Sequence, residues 1–174
     1  MSVPDRRRAA SVVSTVKVQV TIREGKMPGI IVGIDGSVYS RRALEWAISE
    51  AAIRRMPLTV LTVQQAIAEH WTRDADLAEH ASKAAQEETD SVLDKLDAEP
   101  RPPSVSVQAV VGLPAEEILS AAQGADMIVV GSRGAGGYKK LLMGSVSLQV
   151  TYHARCPVVV IPAAAEPAPA DPAP

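Results

Sequence analysis

Between residues 30 and 161 the chain alternates short apolar runs with longer stretches of helical periodicity, and few architectures accept such an alternation. Ile30-Ile31-Val32-Gly33-Ile34, Leu58-Thr59-Val60-Leu61-Thr62-Val63, Met127-Ile128-Val129-Val130 and Pro157-Val158-Val159-Val160-Ile161 are too short for core helices and read as strands. The run at Met127–Val130 is apolar throughout, the pattern of a parallel strand covered on both faces. Val105, Val107, Ala109 and Val111 alternate with Ser104, Ser106, Gln108 and Val110, which predicts a half-buried strand at a sheet edge.

Helices fill the intervals. One starts near Ser37 or Ser40, both good N-cap types, buries Leu44, Ala47, Ile48 and Ala51, and stops at Arg54-Arg55-Met56-Pro57. A long helix over about 74–98 turns Leu77, Ala81, Ala85, Val92 and Leu96 inward, and Pro100, Pro102 and Pro103 close it. Pro114, Glu116 and Glu117 suit the first turn of a third helix, which Gly124 stops. A fourth runs from about Gly144 to Ala154. The expected fold is α/β: a doubly wound five-stranded parallel sheet with helices on both faces and right-handed crossovers. Ligands of such sheets sit at the carboxyl ends of strands where the strand order reverses. Asp35 ends the first strand and Gly131 follows the fourth, so both meet in one crevice if those strands are neighbours.

The two ends read differently. Asp5-Arg6-Arg7-Arg8 suggests an export signal, but Lys17, Gln19 and Arg23 interrupt any apolar core and exclude it. Val16–Ile22 alternates with period two and reads as an extra strand, unless translation starts at Met27. Residues 1–27 are expected to be a poorly ordered extension, and 163–174, rich in Pro and Ala, a disordered tail. The domain proper is 28–162. A net charge of -2 offers no support for a nucleic-acid or membrane-surface role. No apolar run approaches the ~20 residues that span a bilayer. With 47% hydrophobic residues but no Phe, the core must be aliphatic. The single Cys156 cannot form an internal disulfide and fits a cytoplasmic setting, as a small buried thiol rather than a nucleophile.

The chemistry concentrates after the fourth strand. Gly131, Gly134, Gly136 and Gly137 let the backbone lie close to a ligand, Gly144-Ser145 opens a helix whose free N–H groups attract an anion, and Arg133, Lys139 and Lys140 add charge. The stretch reads as a phosphate cradle, against the blander reading of a sharp turn. Lys139-Lys140 serves equally well as a solvated pair. There is no Gly-x-x-x-x-Gly-Lys-Ser/Thr loop and no dinucleotide fingerprint. Asp35 suits a ligand or a magnesium ion, or else a turn in which it binds its own backbone. His70, His80 and His153 form no metal-ligand spacing, and no nucleophile elbow or general base near Ser145 is visible. That argues for binding and sensing rather than turnover.

Gly131-x-x-Gly134, nine residues, then Gly144-Ser145 is a spacing similar to the nucleotide-binding pattern of the universal stress protein family. Ile31–Ser37, Gly112–Leu119 and Cys156–Ile161 resemble the same family, and the likeness covers about Pro28 to Pro162. It implies a sheet of order 3-2-1-4-5, an adenine-nucleotide site and commonly a homodimer. By position, Gly131, Arg133, Gly134, Gly144, Ser145 and Val146 would hold the phosphates of ATP, with Ser147 assisting. Asp35 would face the ribose or a Mg2+ that bridges phosphates. Val63 would offer backbone atoms to adenine, although Thr62 stands where the family often has histidine. AMP, cyclic AMP and slow ATP hydrolysis are the alternatives. The fifth strand, Val158-Val159-Val160-Ile161, would be a bare apolar edge, resolved by pairing with its copy in a dimer or by cover from either terminal extension.

Overall fold

The computed structural model describes residues 29–65, 74–96, 100–135 and 143–162, with side chains from 77 onward in the second of these segments. The expected strand at Val16–Ile22, the tail, His70, Gly136, Gly137 and Lys139-Lys140 lie outside the described residues. The elements run β1 (Ile30–Ile34), α1 (Val38–Arg54), β2 (Leu58–Gln64), α2 (Asp74–Leu96), β3 (Val105–Val111), α3 (Pro114–Ala121), β4 (Met127–Gly131), α4 (Ser145–His153) and β5 (Val158–Ile161). Every ladder is parallel, and the strand order is β3-β2-β1-β4-β5, as the family resemblance implied.

Side chains alternate across this sheet and separate two cores. Ile30, Val32, Ile34, Leu58, Val60 and Val129 face α1 and α2, where they meet Leu44, Ile48 and Val92. Ile31, Leu61, Ile128 and Val130 face α3 and α4, where they meet Ile118 and Val150. The central strands are apolar on both faces because both faces are covered. β3 and β5 are half-buried at every position, as edge strands must be. No helix among the described residues is long and apolar enough to cross a membrane.

The ends of α1 are set by local hydrogen bonds. Of the two candidate caps, Ser37 is the one used: its Oγ accepts from the Ser40 N–H at 3.1 Å, and Ser40 lies buried inside the helix. At the other end Arg55 takes a left-handed conformation (φ 54°), and its N–H donates to Ala52 O at 3.2 Å. The helix therefore ends three residues before Pro57, by a backbone reversal rather than by the proline itself.

In α2 the inner face matches the periodicity reading except at its first residue. Ala85 and Val92 are buried as expected, but Leu77 is 41% exposed and Ala78, seven residues before Ala85, points inward in its place. Thr89 joins them, fully buried, with its hydroxyl donating to Ala85 O at 2.7 Å. One residue is a 100° turn of a helix, enough to move a side chain from seam to rim. Leu44→Ala should lower unfolding free energy by about 2–5 kcal/mol through the cavity it leaves. Leu77→Ala should stay within about 0.5 kcal/mol. Urea denaturation of the two variants checks the assignment.

Candidate functional site

α1 leaves β1 for one face of the sheet and α4 leaves β4 for the other, so the neighbouring strands β1 and β4 flank the reversal of strand order. Their carboxyl ends open a crevice there. Asp35 stands on one wall and the loop after Gly131 on the other.

Asp35 joins the walls. Its Oδ1 accepts from the Ser37 N–H at 3.1 Å, the turn-forming role foreseen for an aspartate in Asp-Gly-Ser. Its Oδ2 accepts from the Ala135 N–H at 2.8 Å, a hundred residues away. Burial alone would raise its pKa, but hydrogen bonds from the Ser37 side chain, the Ala135 and Ser37 N–H groups and the Ser40 side chain outweigh it and leave the value lowered. The carboxylate is thus ionised at neutral pH. Gly36 between these residues has φ +75°, which suits glycine.

The glycines of the loop are small for reasons internal to the protein. A Cβ on Gly131 would come 2.8 Å from the Tyr39 carbonyl carbon and 3.0 Å from Ser40 N, so β4 can pass the start of α1 only as glycine. A Cβ on Gly134 would run into Asp35 Oδ2. Gly144 is different: an added Cβ would lie 3.4 Å from Arg133 Cα and 3.7 Å from Gly134 N, an ordinary contact.

Ser132 pinches the loop. Its carbonyl accepts from the Gly144 N–H at 2.7 Å and from the buried Ser147 hydroxyl at 3.0 Å, while its own N–H donates to Ile161 O at 2.7 Å. Ser147 Oγ also lies 3.0 Å from Gly144 O. The Ser147 hydroxyl proton is therefore committed to the loop's own carbonyls, and its placement is that of a brace. Gly144 is the N-cap of α4 and brings no capping side chain. The helical ladder begins at Leu148 N–H donating to Gly144 O, so the N–H groups of Ser145, Val146 and Ser147 precede it. The Arg133 guanidinium lies 5.7 Å from the centre of the Tyr39 ring, and its Nε is buried without a hydrogen-bond partner among the described residues. A charged donor left in that state fits an anion.

Val63 lies past the last β1–β2 partners, Ile34 and Thr62. Its side chain joins the α3/α4 core, and the alternation of the ladder turns its carbonyl toward the β1 side beyond the end of that strand. Among the described residues no group of three or more His, Cys, Asp or Glu could hold a metal by itself. Cys156 is half-buried, and burial followed by the nearby Asp126 charge pushes its thiol up, which leaves it protonated. Sequence reasoning missed Tyr39 and Ser132. Nothing marks Tyr39 in the chain, and the work of Ser132 falls to its backbone.

Gly131→Ala should destabilise the fold by about 1–3 kcal/mol through overpacking, whereas Gly144→Ala should cost less than about 1 kcal/mol. The Asp35 contribution to stability is present above the unfolded-chain carboxylate value near ~4 and is lost as pH falls through its lowered folded value. Asp35→Asn should therefore flatten the acid limb of the stability curve, which thermal melts across that range will show.

Comparison with known proteins agrees with this geometry. The sequence model of the universal stress protein family matches residues 27–162. A universal stress protein of Mycobacterium tuberculosis (strain H37Rv) is 36% identical over 138 residues, which cover 75% of this chain and 44% of that protein. The chain spans about half the length of the curated relatives it matches. Universal stress protein UspA from Lactobacillus plantarum superposes with a TM-score of 0.62 at 26% identity, covering 79% of this chain and 99% of the other. The universal stress protein from Archaeoglobus fulgidus in complex with dAMP shares the fold, with a TM-score of 0.57 at 24% identity over 79% and 99% of the two chains. On the match of the family model to most of its length, this chain belongs to the universal stress protein family.

Proposed function

We propose that the chain binds ATP in the crevice between β1 and β4 and acts as a nucleotide-responsive dimer rather than as an enzyme. One observation carries the reading: the uncapped start of α4 and the partnerless Arg133 Nε lie in one loop that Asp35 holds against the end of β1. Backbone N–H groups of Ser145 and Val146, the Ser145 hydroxyl and the Arg133 guanidinium would hold phosphate oxygens. Gly131, Gly134 and Ser147 set the shape of the loop that presents them. The free Val63 carbonyl lies where the base would come. The related fold from Archaeoglobus fulgidus holds dAMP, and another universal stress protein structure is a complex with cAMP, which supports an adenine ligand.

Mg2+ fits as a companion of the phosphates. It commonly takes one carboxylate plus phosphate and water oxygens, and the ionised Asp35 is the carboxylate at the crevice that would serve. The domain is read as 28–162 and the setting as cytoplasmic, in keeping with a lone protonated thiol. The dimer reading rests on β5, an apolar edge strand, together with Leu148 and Tyr152 of α4, which are 58% and 83% exposed one turn apart on the helix that packs on β5. A two-fold pairing of β5 with its copy would cover both.

Calorimetric titration with ATP, AMP and cyclic AMP, with and without Mg2+, tests the ligand. Saturable ATP binding is expected, weakened about tenfold or more in Gly144→Ala, whose methyl would fill the space above Arg133 and Gly134 without unfolding the protein. Tighter binding of cyclic AMP would replace ATP as the ligand, and no binding would overturn the reading. For the dimer, sedimentation should show a two-fold mass that Leu148→Glu with Tyr152→Glu reduces to one. A monomeric unsubstituted chain would sink that part.

A further inference from the structure

A second recess adjoins the crevice on the α1/α2 side. Ile34 and Thr62 face each other across the β1–β2 ladder, so both point under α2 at the carboxyl end of the sheet. Where a large pair would meet the helix, α2 presents Ala81, Ala84 and Ala85, and a cavity of about 150 Å³ remains. Asp35, Thr62, Gln64 and Glu88 supply its polar lining among the described residues. That volume is below the range of whole-ligand pockets and suits one end of a ligand. Asp35 lines this cavity and also holds the loop of the phosphate crevice, so the two spaces share one wall residue.

Two lining groups lack partners inside the protein. Thr62 is only 6% exposed, yet its hydroxyl has no hydrogen bond among the described residues. Glu88, half-buried on α2, likewise has neither hydrogen bond nor ion pair there. Burial pushes the Glu88 carboxyl up; the Arg41 charge pulls it down and the Asp35 charge adds to the rise. Both groups face the recess rather than the packed core, so water can supply their hydrogen bonds and a ligand that displaces it must supply them instead. A ligand with a hydrogen-bond donor at its inner end would do so.

We infer that Glu88 and Thr62 read the base of the bound nucleotide, with Glu88 accepting a hydrogen bond from an exocyclic amine of a purine and so favouring adenine over 6-oxo purines. The inference rests on the adenine-nucleotide reading given above and adds to it a residue on α2 that selects the base. A base seated under α2 lies on the far side of Asp35 from the phosphate loop, the order in which a nucleotide's parts are joined. A carbonyl oxygen in place of the amine would face the Glu88 carboxylate acceptor to acceptor.

The test compares ATP with inosine triphosphate, which has that carbonyl, and with inorganic tripolyphosphate, which has no base. In the unsubstituted chain at neutral pH, ATP should bind about tenfold or more tightly than inosine triphosphate. Glu88→Gln, whose amide both donates and accepts, should bring the two close to equal while the urea midpoint holds. Ala81→Leu, which fills the recess without changing a charge, should weaken ATP and leave tripolyphosphate unaffected. If ATP binds but neither variant changes these ratios, the role of Glu88 and of the recess is overturned and the phosphate crevice stands. If the unsubstituted chain binds neither ATP nor tripolyphosphate, both readings fall.

Discussion

The Asp35 carboxylate takes the Ser37 N–H on one oxygen and the Ala135 N–H on the other, and the shape of the crevice follows from those two bonds. The first turns the chain out of β1 into α1. The second pulls the loop after β4 across the point where the strand order reverses. Only glycine at 134 lets the loop approach that closely, and only glycine at 131 lets β4 pass Tyr39 and Ser40 on the way. The arrangement depends on charge as well as shape. A neutral carboxyl would accept less strongly, so the loop is held best in the pH range where Asp35 is ionised.

This alters what the glycine spacing means. Gly131 and Gly134 are read from sequence as room for a ligand, yet the atoms they make room for belong to the protein. Of Gly131, Gly134 and Gly144, the last has space around it, and it caps α4 without a side chain to compete for the helix's first N–H groups. The motif thus divides into two glycines that let the loop close and one that leaves the start of α4 uncovered. Ser147 falls with the first group, since its hydroxyl and the Gly144 N–H converge on the Ser132 carbonyl. A pattern match cannot make that division, because both kinds of glycine look alike along the chain.

The fold itself was largely legible. Apolar runs of four to six residues marked β1, β2, β4 and β5 within a residue or two, because parallel strands covered on both faces need no polar alternation, and the alternation at Val105–Val111 marked β3. What escaped was lateral detail. Leu77 has the right chemistry for a core position, but the seam set by Ala85 and Val92 runs back through Ala78, so Ala78 is inside and Leu77 is not. Thr89 is buried although polar, because its hydroxyl finds a carbonyl four residues back on the same helix. Glu88, Thr62 and Arg41 come together only when α1 and α2 pack on the strand ends, and no local window contains them. The site was legible where one continuous segment builds it and silent where separate elements do.

The two sheet edges show how little local sequence is needed to separate a finished boundary from an open one. β3 carries Ser106 and Gln108 on the face away from α2, and Ser106 Oγ donates to Thr59 Oγ1 on the neighbouring strand at 3.2 Å. Polar groups on an edge favour water over another strand. β5 has four consecutive aliphatic residues, of which Val159 and Ile161 belong to one core and Val158 and Val160 to the other, all only half-covered. It is also tied to the loop after β4, since Ile161 O receives the Ser132 N–H, and to α1, since the Pro162 carbonyl receives Arg42 Nη1. Any partner that pairs with β5 therefore bears on the strand whose last residue anchors the start of the loop. A change in loop position caused by a bound phosphate has a two-bond route to that edge, through Ser132 and Ile161, and needs no rearrangement of either core.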